Sequence, residues 1–291
     1  MSGLPDLHRH LDGSLRPSTV TELAAARGLE IPDPLPFQPG MGLQAALSRF
    51  AFTLSLLDRP EEVSRVASEI CEDAQAEGVS TLEIRFAPQL HGSVPDFVAA
   101  ALDGIAGRAG LVLCGLYGQD PEIVCELARQ PGIVGLDLAG GPLPEHRWGM
   151  ADYAPAFEQA RARGVGRTVH AGEGRPPAEI AVAIELLHAQ RVGHGTTLLE
   201  DPRVLELVLE RGVTIEACPT SNWHVGAVSS VEEHPLARWL ELGVRACVNS
   251  DNTLLSETDA REEHRRAARI EGMTPELLQL AIEHGHAAAF G

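Results

Sequence analysis

A chain of 291 residues, 44% of them hydrophobic, with a net charge of −18, is long enough to bury a large core and too acidic to suit a nucleic-acid partner. All 23 cationic residues are arginine, which excludes a Schiff-base lysine, a phosphate-cradling P-loop lysine and a carbamylated lysine bridging two metals. No apolar run is long enough to span a bilayer and the residues before Leu7 lack the features of a secretory signal, so a cytoplasmic protein without membrane contacts is expected.

Short apolar, β-branched runs alternate with longer amphipathic stretches from one end to the other. The expected strands cover 4–11, 81–87, 111–117, 133–139, 167–171, 191–193, 213–217 and 245–249. Helical patterns fall at 18–27, 60–77, 96–108, 121–130, 151–163, 177–190, 201–211 and 232–242, with a closing helix at 275–290. Glycines stand where left-handed helix ends are wanted, at Gly28, Gly78, Gly164, Gly212 and Gly243. Eight such βα units describe an α/β chain closed into a (β/α)8 TIM barrel, expected as a single domain over 1–291. A doubly wound open sheet fits less well, because no Gly-x-Gly-x-x-Gly follows the first strand. The Pro- and Gly-rich segment 31–42 and the helical stretch 43–57 form an insertion after the first strand; Leu43, Leu47 and Phe50 share one helical face there that could roof a pocket. The five cysteines (Cys71, Cys114, Cys125, Cys218, Cys247) are scattered without a Cys-x-x-Cys pair, so free thiols are expected rather than disulfides or a thiolate zinc site.

In such a barrel, function collects at the C-terminal ends of the strands. The first strand delivers His8, His10 and Asp12; alternation along a strand puts the two imidazoles on one side. The fourth brings Asp137 and Gly140, the fifth His170 and Glu173, the sixth His194, and the eighth Ser250, Asp251 and Asn252. Three neutral imidazoles and one carboxylate, from His8, His10, His170 and Asp251, suit a borderline-soft divalent cation, with one Zn2+ per chain the first choice. Such an ion makes a hydroxide nucleophile available near neutral pH, and His194 and Glu173 remain to handle protons.

With these residues assembled, the sequence resembles the adenosine deaminase family through 6–14, 81–88, 135–140, 168–173, 191–195, 218–228 and 248–252. The resemblance implies a zinc-dependent hydrolytic deaminase of a 6-aminopurine nucleoside, converting adenosine or 2′-deoxyadenosine to the inosine product and ammonia. It implies that His8, His10, His170 and Asp251 hold the zinc, that His194 and Asp251 orient the nucleophile and take its proton, and that Glu173 serves N1 of the purine. Asp12 corresponds to the acceptor for a ribose hydroxyl, with helix capping as the competing role. Gly140 corresponds to the backbone N–H that meets N3. The chain departs from the family at Asn252, where a second aspartate usually meets N7; an amide always carries the donor that N7 needs. It departs again in the short segment 88–98, which bears on the sugar side. A 5′-modified adenosine such as aminodeoxyfutalosine or methylthioadenosine, or free adenine, could be handled by the same chemistry. A catalytically silent nucleoside-binding barrel would lack some of the metal or proton-transfer residues, and this chain keeps them all. The sequence does not specify an oligomeric state.

Overall fold

The computed structural model describes residues 3–291, so the first two positions of the expected 1–291 domain lie outside the described residues. Eight parallel strands, β1 (Leu4–His10), β2 (Val79–Phe86), β3 (Gly110–Leu116), β4 (Gly135–Ala139), β5 (Gly166–Ala171), β6 (Arg191–His194), β7 (Thr214–Ala217) and β8 (Arg245–Val248), follow one another in sequence order around a barrel. Every expected strand is present, with ends shifted by one or two residues. The helices are α1 (Pro17–Arg27), α2 (Leu43–Ser55), α3 (Pro60–Glu77), α4 (Val94–Ile105), α5 (Pro121–Arg129), α6 (Ala154–Ala162), α7 (Ala178–Glu185), α8 (Pro202–Arg211), α9 (Pro219–His224), α10 (Leu236–Glu241), α11 (Ala260–Ala267) and α12 (Pro275–Ala288). None among the described residues is long and apolar enough to cross a membrane.

Local chemistry sets the helix ends. Proline occupies the first helical position of α1, α3, α5, α8 and α12, where its missing N–H is no loss. Gly28, Gly78 and Gly212 close α1, α3 and α8 in the left-handed conformation. Three helices depart from expectation. The stretch 177–190 is helical only to Glu185, because the chain must leave the helix for the Gln190 N–H to reach the carbonyl of Arg167 at the start of the barrel wall. The stretch 232–242 begins its helix at Leu236, since Pro235 disfavours helical backbone at His234. The stretch 151–163 is split into a 3-10 turn, Met150–Tyr153, and α6. Two short helices, α9 and α11, had no expected counterpart.

Alternation along the strands divides the barrel into two regions. On β2, Leu82, Ile84 and Phe86 belong to the apolar core beneath the helices, while Glu83 and Arg85 point inward. The interior therefore carries a buried ionic layer. Arg191 pairs with Glu83 at 2.5 Å and Glu216 at 2.6 Å, and Arg85 pairs with Glu216 and Asp137, each at 2.9 Å. Below it, the Phe290 ring after α12 packs under the Arg191 guanidinium at 3.5 Å and takes the space a side chain at Gly166 would need, 2.2 Å from where a Cβ would lie.

The barrel is closed between β8 and β1 by a different kind of contact. His10 and Asp251 form the backbone bonds, His10 N–H to Asp251 at 2.7 Å and Asp251 N–H to His8 at 2.8 Å. The neighbouring amides are taken by side chains: Leu7 N–H by Asn249 Oδ1 at 2.8 Å and Ser250 N–H by Asp6 Oδ1 at 3.2 Å. Asp251 sits at φ 60° and His194 at φ 68°, a left-handed backbone that costs a non-glycine residue roughly 1–3 kcal/mol and collects at functional sites.

Candidate active site

The strand ends deliver the expected side chains to one mouth. His8 Nε2 lies 3.1 Å and His10 Nε2 3.2 Å from His170 Nε2, while Asp251 Oδ1 is 3.6 Å from His8 Nε2 and 3.5 Å from His10 Nε2. Each of two rings is anchored from behind: His8 Nδ1–H donates to Glu216 Oε2 at 2.7 Å, and His170 Nδ1–H to Asp137 at 3.1 Å. Those anchors place the lone pairs of His8 and His170 on the two Nε2 atoms that face each other. Bare lone pairs at that separation repel, and a cation between them removes the repulsion. Donors about 2.0–2.1 Å from a common ion are about 3.3 Å apart at tetrahedral angles, which is the spacing found.

Electrostatics favour the same occupant. Burial, reinforced by Arg85 or neighbouring imidazoles, holds His8, His10 and His194 well below the usual imidazole range, so they are neutral ligands or donors. At His170 burial acts in the same direction but Asp137 outweighs it and raises the ring. Two buried groupings of ligand atoms centre on His8, one with His170 and His194 and one with Cys218 and Asp251. Burial pushes the Cys218 thiol up in the metal-free site, and the imidazole nitrogens and the Asp251 carboxylate are the donors that converge from the strand ends. The residues fit a divalent metal ion.

Beside this cradle lies a cavity of about 320 Å³ lined by His10, Asp12, Gly140, Glu173, His194 and Asn252 on its inner side. That is the low end of the usual range for small-molecule sites. Phe37, Leu43, Leu47, Phe50 and Leu54 roof it, so the face of α2 expected over a pocket does line one. Burial first, then Asp251, raises the Glu173 carboxyl to about 7. Asp12, raised to about 7 mainly by burial, does not cap α1; Arg16 precedes that helix and Asp12 Oδ1 has no partner among the described residues. Asn252 packs on Gly13, where a Cβ would lie 1.9 Å from its Oδ1. Gly140 adopts φ 78° at the end of β4, which turns the backbone at the cavity wall.

Five residues of the site have no role in the expectations above, Arg85, Asp137, Glu216, Asn222 and His234, although Asp137 is expected among the residues at the end of β4. A signal existed for the first three, since charged residues at inward positions of otherwise apolar strands must be paired. Arg85 joins Asp137 and Glu216, and so ties the anchors of His8 and His170 together. Asn222 donates to both Glu173 Oε1 and His194 Nδ1, and its position within α9 had no periodic signature.

A (β/α)8 barrel with imidazoles and a carboxylate converging at the strand ends has the donor set of a divalent-metal site where barrel enzymes carry their chemistry. A family model described as adenosine deaminase matches residues 4–290, and the chain belongs to that family of hydrolytic deaminases acting on the C–N bond of a cyclic amidine. It is 32% identical to an adenosine deaminase from Clostridium acetobutylicum, covering 98% of this chain and 92% of the relative, and 34% identical to one from Serratia proteamaculans, covering 99% and 93%. A probable adenosine deaminase from Dictyostelium discoideum is 33% identical over 98% of this chain, which spans only 40% of that relative's length. Among solved structures, an adenine deaminase from Arthrobacter aurescens superposes with a TM-score of 0.90 at 23% identity, covering 100% of this chain and 94% of that one. An amidohydrolase from B. ambifaria with bound Zn does so with a TM-score of 0.86 at 25% identity, covering 99% and 86%.

Proposed function

We propose that the chain, as one catalytic unit, removes the 6-amino group of a purine nucleoside, adenosine or 2′-deoxyadenosine, and that its metal is zinc held by His8, His10, His170 and Asp251. The observation that carries this reading is the pairing of the four-donor cradle with a buried carboxyl, Glu173, raised to about 7 in the same cavity. When bound by these four residues, the ion would supply a nucleophile from water at neutral pH. Glu173 holds a proton and places it at N1 of the purine, which withdraws electrons from C6. His194 and Asp251 orient the attacking water, and Asp251 is close enough to the cradle to take its proton. Asp251 passes that proton to the amino group, which leaves as ammonia, and the C6 hydroxyl returns its remaining proton to Glu173 as the tetrahedral carbon collapses to the 6-oxo product.

The remaining contacts hold the substrate. The Gly140 N–H meets N3, the Asn252 amide donates to N7, and Asp12 Oδ1, without a partner among the described residues, accepts from a sugar hydroxyl. The apolar roof from α2 suits an uncharged sugar end, which is also why 5′-modified adenosines and free adenine belong in the test. Ammonia release is to be read with adenosine, 2′-deoxyadenosine, adenine, methylthioadenosine and aminodeoxyfutalosine. Fastest turnover of a plain nucleoside supports the proposal, and no turnover of any 6-aminopurine overturns it. Glu173→Gln should keep the metal while kcat falls about 10²–10⁴-fold, the usual span for a lost general acid.

A further inference from the structure

His234 lies behind the active site and is 2% exposed, and its orientation is settled by a donor that has no choice. The Leu236 backbone N–H donates to His234 Nδ1 at 3.1 Å, so that nitrogen carries the lone pair. A neutral ring must then carry its hydrogen on Nε2, and burial does pull this imidazole down to about 3. Nε2 lies 3.2 Å from Asn222 Oδ1, so the amide oxygen of Asn222 faces His234 and its NH2 faces the site. The two amide hydrogens have two partners, His194 Nδ1 at 3.0 Å and Glu173 Oε1 at 3.1 Å. Both are accepting atoms in that arrangement. They lie 3.4 Å from each other, and the amide bridges them.

We propose that Asn222 is a positioning residue, aimed by His234, whose one amide decides which nitrogen of His194 and which oxygen of Glu173 carries a proton. With Nδ1 occupied as an acceptor, neutral His194 has its hydrogen on Nε2, the nitrogen without a protein partner among the described residues, in a ring that lines the cavity. With Oε1 occupied as an acceptor, the acid proton of Glu173 belongs on Oε2. Both groups therefore present N–H or O–H to the substrate before it arrives, and no rearrangement is needed to reach that state. His194 then serves the attacking water as a donor, which leaves Asp251 as the group that takes the proton. This deepens the deaminase reading above and rests on it. Asn222 is itself held rigidly: it is fully buried, its N–H donates to Cys218 at 2.9 Å, and its carbonyl accepts from Ala227 and Val228 at 2.8 and 3.2 Å.

The test is the ¹⁵N spectrum of the His194 ring in the zinc-loaded protein, which distinguishes the two tautomers without any turnover. The wild type should show an Nε2–H ring; an Nδ1–H ring there overturns the proposal with no variant needed. Asn222→Asp keeps the shape but replaces the donor with an acceptor, so His194 should switch to Nδ1–H and kcat should fall about 10²-fold with KM changed less than about threefold. An unchanged tautomer with unchanged kcat in that variant also overturns it. His234→Phe should lower kcat about tenfold by freeing the amide, and His234→Gln, which can accept from Leu236 and donate to Asn222, should restore most of the loss. Equal kcat in the Phe and Gln variants removes His234 from the role. Failure of the deaminase reading appears separately, as a wild type that shows the Nε2–H ring and turns over no 6-aminopurine.

Discussion

Replacing Arg85 with methionine removes one cation from between two carboxylates, and all three side chains are 0% exposed. Breaking a buried ion pair by deleting one partner costs about 3–5 kcal/mol, because the remaining charge has no water to turn to. Here the residual charges are partly covered: Glu216 keeps Arg191 at 2.6 Å and Thr168 Oγ1 at 2.9 Å, and Asp137 keeps the His170 N–H at 3.1 Å. The lower end, about 3 kcal/mol, is therefore expected for Arg85→Met. For a chain of this size that corresponds to a fall in Tm of about 6 °C. Because both released carboxylates anchor a cradle imidazole, zinc affinity should fall about 10–100-fold as well. Thermal and urea unfolding of the metal-free protein measure the first effect, and competition against a chromophoric chelator measures the second. Arg85→Lys, a point charge that reaches one carboxylate at a time, should fall between. A Tm and a zinc affinity both equal to wild type would refute the view that this guanidinium couples the two sides of the site.

Three further expectations follow from the same geometry. Glu173 is raised above its ordinary value, so the proton it needs is fully present at low pH and is lost as pH rises through about 7; kcat/KM should decline on the alkaline side, and a profile flat from mildly acid to mildly alkaline pH would remove that role. A Gly13→Ala side chain would sit 1.9 Å from Asn252 Oδ1 and must displace it, so KM should rise roughly tenfold, as for a lost hydrogen bond to a ligand, in steady-state kinetics. Zinc should raise Tm over the chelated protein and return it on re-addition, since an ion at a hundredfold excess over its Kd stabilises by about 2.7 kcal/mol; identical melting curves would count against a site formed only in the folded barrel.

The barrel was legible because parallel strands buried on both sides leave continuous apolar runs, and because glycines mark helix ends. The strand-end histidines were legible for a related reason: a polar residue closing an apolar run has little structural purpose. What the sequence hid was the pairing behind them. Arg85, Asp137 and Glu216 come from three different strands, and nothing local tells one inward charge which partner it meets across a barrel. Asn222 was hidden more deeply, since α9 is too short to show a period and an amide before a tryptophan looks like any turn residue. His234 falls within the helix expected over 232–242, and its use depends on that helix starting only after Pro235.

The seam between β1 and β8 has a consequence for how the protein is made. Leu7 and Asn249, whose contact helps close the barrel there, are 242 residues apart in the chain. At a synthesis rate of about 5–20 residues per second, the first strand waits roughly 12–50 s for its second neighbour. Throughout that interval His8 and His10 have been translated but Asp251 has not, so the donor set proposed for the metal is incomplete. The proposed metal cradle is thus a late product of translation, complete only once the last strand has docked.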